Sequence, residues 1–104
     1  MSPDTLPEAS LLSARVTVPQ HVVSRSFPAE TVVLNLQSGT YHGLNPTGGR
    51  MLAALEHAPT VRAAAAAVAE SYGETSATIE RDLCELCDAL AERGLIEIDG
   101  GAAP

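Results

Sequence analysis

The residue types able to do chemistry are few in this 104-residue chain, and they are scattered. Cys84 and Cys87 make a single C-x-x-C inside a stretch of helical periodicity. A zinc site would need two further ligands at suitable spacing, and a thioredoxin-type redox pair would need a βαβ setting; the sequence offers neither. On one helix the two thiols are near neighbours, but a disulfide there would be strained, so they read as core thiols. His21, His42 and His57 fall in an extended segment, a hairpin and a helix end, and read as surface residues. Glu80, Asp82, Glu85, Asp88 and Glu92 interleave with apolar residues and read as the solvated side of a helix. Gly48-Gly49 lies at a helix start, where an anion could dock, but no strand–GxxxxGK pattern accompanies it. Nothing pairs a nucleophile with a base, or two carboxylates, on a fold able to exclude water. The expectation is a protein that is not an enzyme, with no catalytic residue, metal or cofactor.

Composition narrows the partners. Six Lys+Arg against thirteen Asp+Glu give a formal charge of −7, the wrong sign for a phosphate backbone, so nucleic acid is not an expected partner. Apolar runs are shorter than the roughly 18 residues of a membrane span, and no basic region followed by an apolar one opens the chain. The reading is therefore a cytoplasmic protein that does not bind membranes. With 45% hydrophobic residues there is material for one domain and a modest core. Aromatics are limited to Phe27, Tyr41 and Tyr72, so alanine-rich helices must pack through small side chains.

The element that organises the chain is Glu30 to Pro46, ETVVLNLQSGTYHGLNP. Val32, Leu34 and Leu36 alternate with Val33, Asn35 and Gln37. Gln37-Ser38-Gly39-Thr40 supplies turn chemistry, and Thr40 to Leu44 returns as a second strand. Asn45 stands at a helix N-cap position with Pro46 at the first helical position, so the strand runs straight into a helix ending near His57. Gly48 and Gly49 in its first turn imply close approach of another backbone. Thr60 should cap a second helix to about Tyr72, closed by Gly73. Thr75 or Ser76 should cap a third to about Arg93, with Ile79, Leu83, Leu86 and Leu90 on one face and Gly94 just past its end. Upstream, Ala14 to Val18 and His21 to Phe27 read as extended, interrupted by Pro19. Leu95 to Ile98 reads as a short terminal strand. Residues 1–13, with Pro3 and Pro7, read as a disordered tail and 99–104 as a flexible one, leaving a folded domain at 14–98.

The fold expected is α+β: an N-terminal antiparallel three-stranded sheet followed by three helices, resembling a winged helix-turn-helix. In such a meander the strand Thr40–Leu44 has a free edge. Two readings stay open: an edge blunted by its shortness and the neighbouring helix, or a template for docking another strand.

The run V-V-L-N-L-Q-S-G-T-Y-H-G-L-N-P-T-G (Val32 to Gly48), then T-V-R-A-A-A-A-A-V-A-E-S-Y and R-D-L-C-E-L-C-D-A-L-A-E-R-G-L-I, resembles the PqqD-like family. These are leader-peptide recognition elements of ribosomally made, post-translationally modified peptide pathways. The resemblance spans about residues 14 to 98 and is most like the stand-alone recognition proteins of lasso-peptide clusters; Leu52 stands where many relatives carry Trp. It implies that a precursor's leader adds as an antiparallel strand along Thr40, Tyr41, His42, Gly43 and Leu44. The leader's side chains would enter a groove walled by the third helix at Glu80, Leu83, Cys84 and Cys87. It further implies a monomer acting with a leader peptidase and then a cyclase. Rival readings are a peptide chaperone of another such pathway, for example beside a radical SAM enzyme, and a DNA-binding or dimerising winged-helix module.

Overall fold

The computed structural model of the protein describes residues 8–99. A short helix, α1 (Glu8–Leu12), precedes β1 (Arg15–Thr17), β2 (Val22–Ser26), β3 (Thr31–Asn35) and β4 (Tyr41–Leu44). Three longer helices follow, α2 (Pro46–His57), α3 (Val61–Tyr72) and α4 (Ser76–Glu92), and then β5 (Glu97–Asp99). Strands β2, β3 and β4 form an antiparallel sheet in that order. This is the α+β architecture read from the sequence, with a three-stranded sheet ahead of three helices.

The helix starts obey local chemistry. The Asn45 side chain accepts from the Gly48 N–H at 2.7 Å, with Pro46 behind it. Thr60 accepts from Ala63 N–H, and Thr75 from Thr78 N–H. Each cap satisfies a donor that the first helical turn leaves without a partner. The turn between β3 and β4 requires Gly39 at φ +79°, a backbone region costly for any residue with a Cβ.

Two expectations need correction. The tail reading of residues 1–13 fails for 8–13: Glu8–Leu12 is helical, and Leu11 and Leu12 are buried. Two adjacent leucines suffice because α3 and α4 supply the surface they pack on. Residues 1–7 lie outside the described residues, as do 100–104. Secondly, the Ala14–Val18 strand does not join the main sheet. Its core, β1, pairs antiparallel with β5, placing Val16 opposite Ile98, so Asp99 belongs to a strand and not to the tail.

The close approach expected at Gly48-Gly49 is real, but the neighbour at Gly49 is a side chain. A Cβ there would lie 2.5 Å from Thr31 Oγ1. The glycine thus lets α2 sit directly on β3, which fixes where β4 stands.

Candidate peptide-docking site

Strand β4 lies at an edge of its sheet, and hydrogen-bond parity decides what that edge presents. Asn35 N–H donates to the Thr40 carbonyl at 2.8 Å. In an antiparallel ladder bonded pairs recur at every second residue. In the β3–β4 register, Val33↔His42 and Thr31↔Leu44 are therefore the bonded pairs, while Val32↔Gly43 and Leu34↔Tyr41 are not. The opposite side of β3 agrees: Phe27 N–H donates to Glu30 C=O and Leu36 N–H to His21 C=O, each at 2.7 Å, directing the even-numbered backbone groups of β3 to β2. The N–H and C=O groups of Tyr41 and Gly43 consequently point off the sheet.

Side chains alternate with the opposite assignment. His42 and Leu44 face α4, while Tyr41 projects from the far face of the sheet and is 66% exposed. Between β4 and α4 run two depressions that meet at His42. One, of about 440 Å³, has Leu44, Met51 and Leu86 as its apolar surface and Asp82 and Glu85 on its wall. The other, of about 490 Å³, is bounded by Thr40, Ala89, Glu92 and Arg93. Together they form a groove alongside the free edge.

Helix α4 carries two stripes, and the one expected to wall the groove is not the one that lines the depressions beside β4. Leu83 and Cys87 are completely buried and Cys84 is 6% exposed, all within the core. Glu80 turns to α3, where its carboxylate stands 3.9 Å from the Arg62 guanidinium. None of these four lines the depressions beside β4. Of the nine residues expected at the site, Thr40, His42, Gly43 and Leu44 are at the edge and line the groove, and Tyr41 is at the edge but faces outward. The groove residues of α4 are Asp82, Glu85, Leu86, Ala89 and Glu92, with the C-cap Arg93, a helical stripe next to the core stripe. Leu86, grouped with the core leucines by its spacing, is only partly buried because it faces the groove, a difference the spacing does not signal.

The cysteines have a structural part. Both are buried thiols outside any disulfide. Burial first, then the proximity of Cys84 and Asp88, pushes the Cys87 thiol up to about 12. A pKa raised in the folded state means that the unfolded chain gives up this proton first as pH rises. The stabilisation is thus complete below the ordinary thiol value of about 8.5 and is lost from there up towards 12. The expected slope is about 1.4 kcal/mol per pH unit in that window. Urea titrations at pH 8 and pH 10 should show a larger loss for the native protein than for Cys87→Ala. Equal losses would mean that the thiol is not shielded.

A free strand edge with a groove along one side is the geometry that accepts an extended segment. Consistent with this, the chain belongs to the family described as coenzyme PQQ synthesis protein D (PqqD), whose profile matches residues 30–96. That span covers the sheet edge and all of α2, α3 and α4. Among solved structures, TbiB1 in complex with the TbiA(beta) leader peptide is 36% identical, with a TM-score of 0.69 over 77% of this chain and 93% of that one. A lasso peptide synthetase B1 complexed with the leader peptide shares the fold at a TM-score of 0.68 and 24% identity, over 80% of this chain and 98% of that one. None of the curated proteins matches the chain.

Proposed function

We propose that the protein is a non-catalytic leader-peptide-binding protein of lasso-peptide biosynthesis. It captures the leader of a precursor as an added antiparallel strand on β4. The observation that carries this reading is the outward direction of the Tyr41 and Gly43 backbone groups, two N–H and two C=O, beside a groove that can take alternate side chains. Support comes from the 36% identical TbiB1 structure, which is a complex with a leader peptide.

The energetics fit a capture role. Four backbone hydrogen bonds at a net ~0.5–1.5 kcal/mol each, with one or two apolar anchors at ~1.5–3 kcal/mol, are partly offset by the ordering of a flexible peptide. The result is an affinity between about micromolar and tens of nanomolar. Held in this way, the precursor reaches a modifying enzyme at a raised effective concentration. The expected partners are a leader peptidase and then a cyclase, met in the cytoplasm by a monomeric recognition protein. The acidic α4 disfavours the DNA-binding reading.

The test is an anisotropy titration with the labelled leader of the nearest short precursor peptide, and a scrambled leader as control. Sub-micromolar, sequence-dependent binding is expected. Absence of binding up to about 100 μM by the folded protein would overturn the reading.

A further inference from the structure

The charges around the free edge are not spread evenly along it. At the Gly43–Leu44 end, Asp82 and Glu85 stand on the groove wall. On the other face of the sheet, the Glu30 carboxylate hangs over the same point: its Oε1 is 3.4 Å from where a Cβ on Gly43 would lie. At the Thr40 end, Glu92 is accompanied by Arg93. Among the described residues the one ion pair is Arg62–Glu80, so none of Glu30, Asp82 and Glu85 is held in one. Three carboxylates thus surround one end of an edge whose backbone groups have no strand to bond.

We infer that the edge selects a peptide strand carrying Lys or Arg in its N-terminal half. In antiparallel addition the N-terminal residues of the incoming strand lie beside Leu44, the C-terminal residue of β4. A basic side chain there that faces the groove lays its methylenes over Leu44, Met51 and Leu86 and brings its cation to Asp82 and Glu85. One facing the opposite way meets Glu30. Backbone pairing supplies affinity without discrimination, whereas this charge pattern sets both the residue type preferred and the end at which it sits. The occupant is a basic, amphipathic segment, which the β4 strand of a second copy, Tyr-His-Gly-Leu with no Lys or Arg, is not.

This inference rests on the leader-binding reading, and one set of titrations separates the two. The labelled precursor leader is titrated at 50 and 500 mM NaCl against the native protein, Asp82→Asn/Glu85→Gln and Gly43→Pro. A second leader has the Lys and Arg of its N-terminal half changed to Gln. The expected result is a loss of about three- to tenfold from either the protein change or the peptide change. Combined, the two should cost less than the product of their separate effects, and the salt dependence of the native protein should shrink in the carboxamide variant. Binding that Gly43→Pro removes but that ignores salt, both carboxamides and the leader's basic residues would overturn the charge inference and leave recognition standing. A leader with no basic residue in that half, bound equally well, would do the same. No binding under any condition would overturn both.

Discussion

A Gly43→Pro variant is expected to keep its fold and to lose the peptide. The expectation follows from parity: the Gly43 N–H points away from β3, so replacing it removes no bond of the β3–β4 ladder. Proline is tolerated in sheets at just such positions, on an edge with the missing donor facing solvent. His42, which would precede it, is already extended, as a residue before proline prefers to be. Space is adequate too, because the nearest atom to a new Cβ is Glu30 Oε1 at 3.4 Å, an ordinary contact. On the docking side the substitution deletes one of two outward donors, and the ring occupies the line along which an incoming strand must approach. Affinity should fall by more than about fiftyfold, equivalent to ~2–3 kcal/mol, while unfolding free energy moves by no more than about 1 kcal/mol. His42→Pro is the informative contrast. It removes the donor that bonds Val33 and should cost stability first. Circular dichroism and urea unfolding on both variants, beside the anisotropy titration, check the pair of outcomes; a folded Gly43→Pro protein with native affinity would sink the edge geometry.

What the sequence made legible, and what it did not, divides by the range of the forces involved. Helix boundaries were readable because their causes are local. Asn45-Pro46, Thr60 and Thr75 each cap a helix through a bond to a residue three positions on, and Gly73 ends one in a left-handed conformation. The hairpin was readable for the same reason, through Gly39. By contrast, β1 pairs with β5 across most of the chain, and each strand is three residues long. No local pattern encodes that partnership. Nor does α1 carry a signal beyond two leucines, since its burial depends on surfaces made by helices far along the chain.

The geometry of the candidate site was half legible. Edge residues followed from strand order alone, and Thr40 to Leu44 are where the sequence reading put them. The groove wall did not follow, because helical spacing gives faces without saying which neighbour each one meets. Leu83, Cys84 and Cys87 form the most apolar stripe of α4, and for that reason the core takes them. The depressions beside β4 are lined by the adjacent, mixed stripe, where Leu86 and Ala89 stand among carboxylates. An apolar residue half covered in a polar stripe is the better sign of a binding surface than the apolar stripe itself.

Asn35 is where fold and site depend on one buried polar side chain, and Asn35→Ala should be the most destabilising of the substitutions considered. On β3 it occupies the inward face with Thr31 and Val33, a position that strand patterning would give to an apolar residue. Its Oδ1 accepts from the N–H groups of Gln37 at 2.9 Å and Ser38 at 3.1 Å, which shapes the turn into β4. Its Nδ2 donates to the Gly94 carbonyl at 3.1 Å, just past the end of α4. One amide therefore ties the hairpin turn to the helix terminus and holds the Thr40–Arg93 end of the groove at its width. Alanine removes three hydrogen bonds at a net ~1 kcal/mol each and leaves the inward-facing groups without partners, so unfolding free energy should drop by about 2–4 kcal/mol. For a domain of this size that is a fall in Tm of roughly 10–25 °C. Asn35→Asp separates the two duties. It keeps an acceptor for the turn but sets a carboxylate against the Gly94 carbonyl, so the turn survives while the tether to α4 is lost. If the tether fixes groove width, Asn35→Asp should bind the leader more weakly than its remaining folded fraction accounts for. If leader affinity of the folded Asn35→Asp protein equals that of the native one, the groove owes its shape to the packing of α2 on β3 through Gly49 alone.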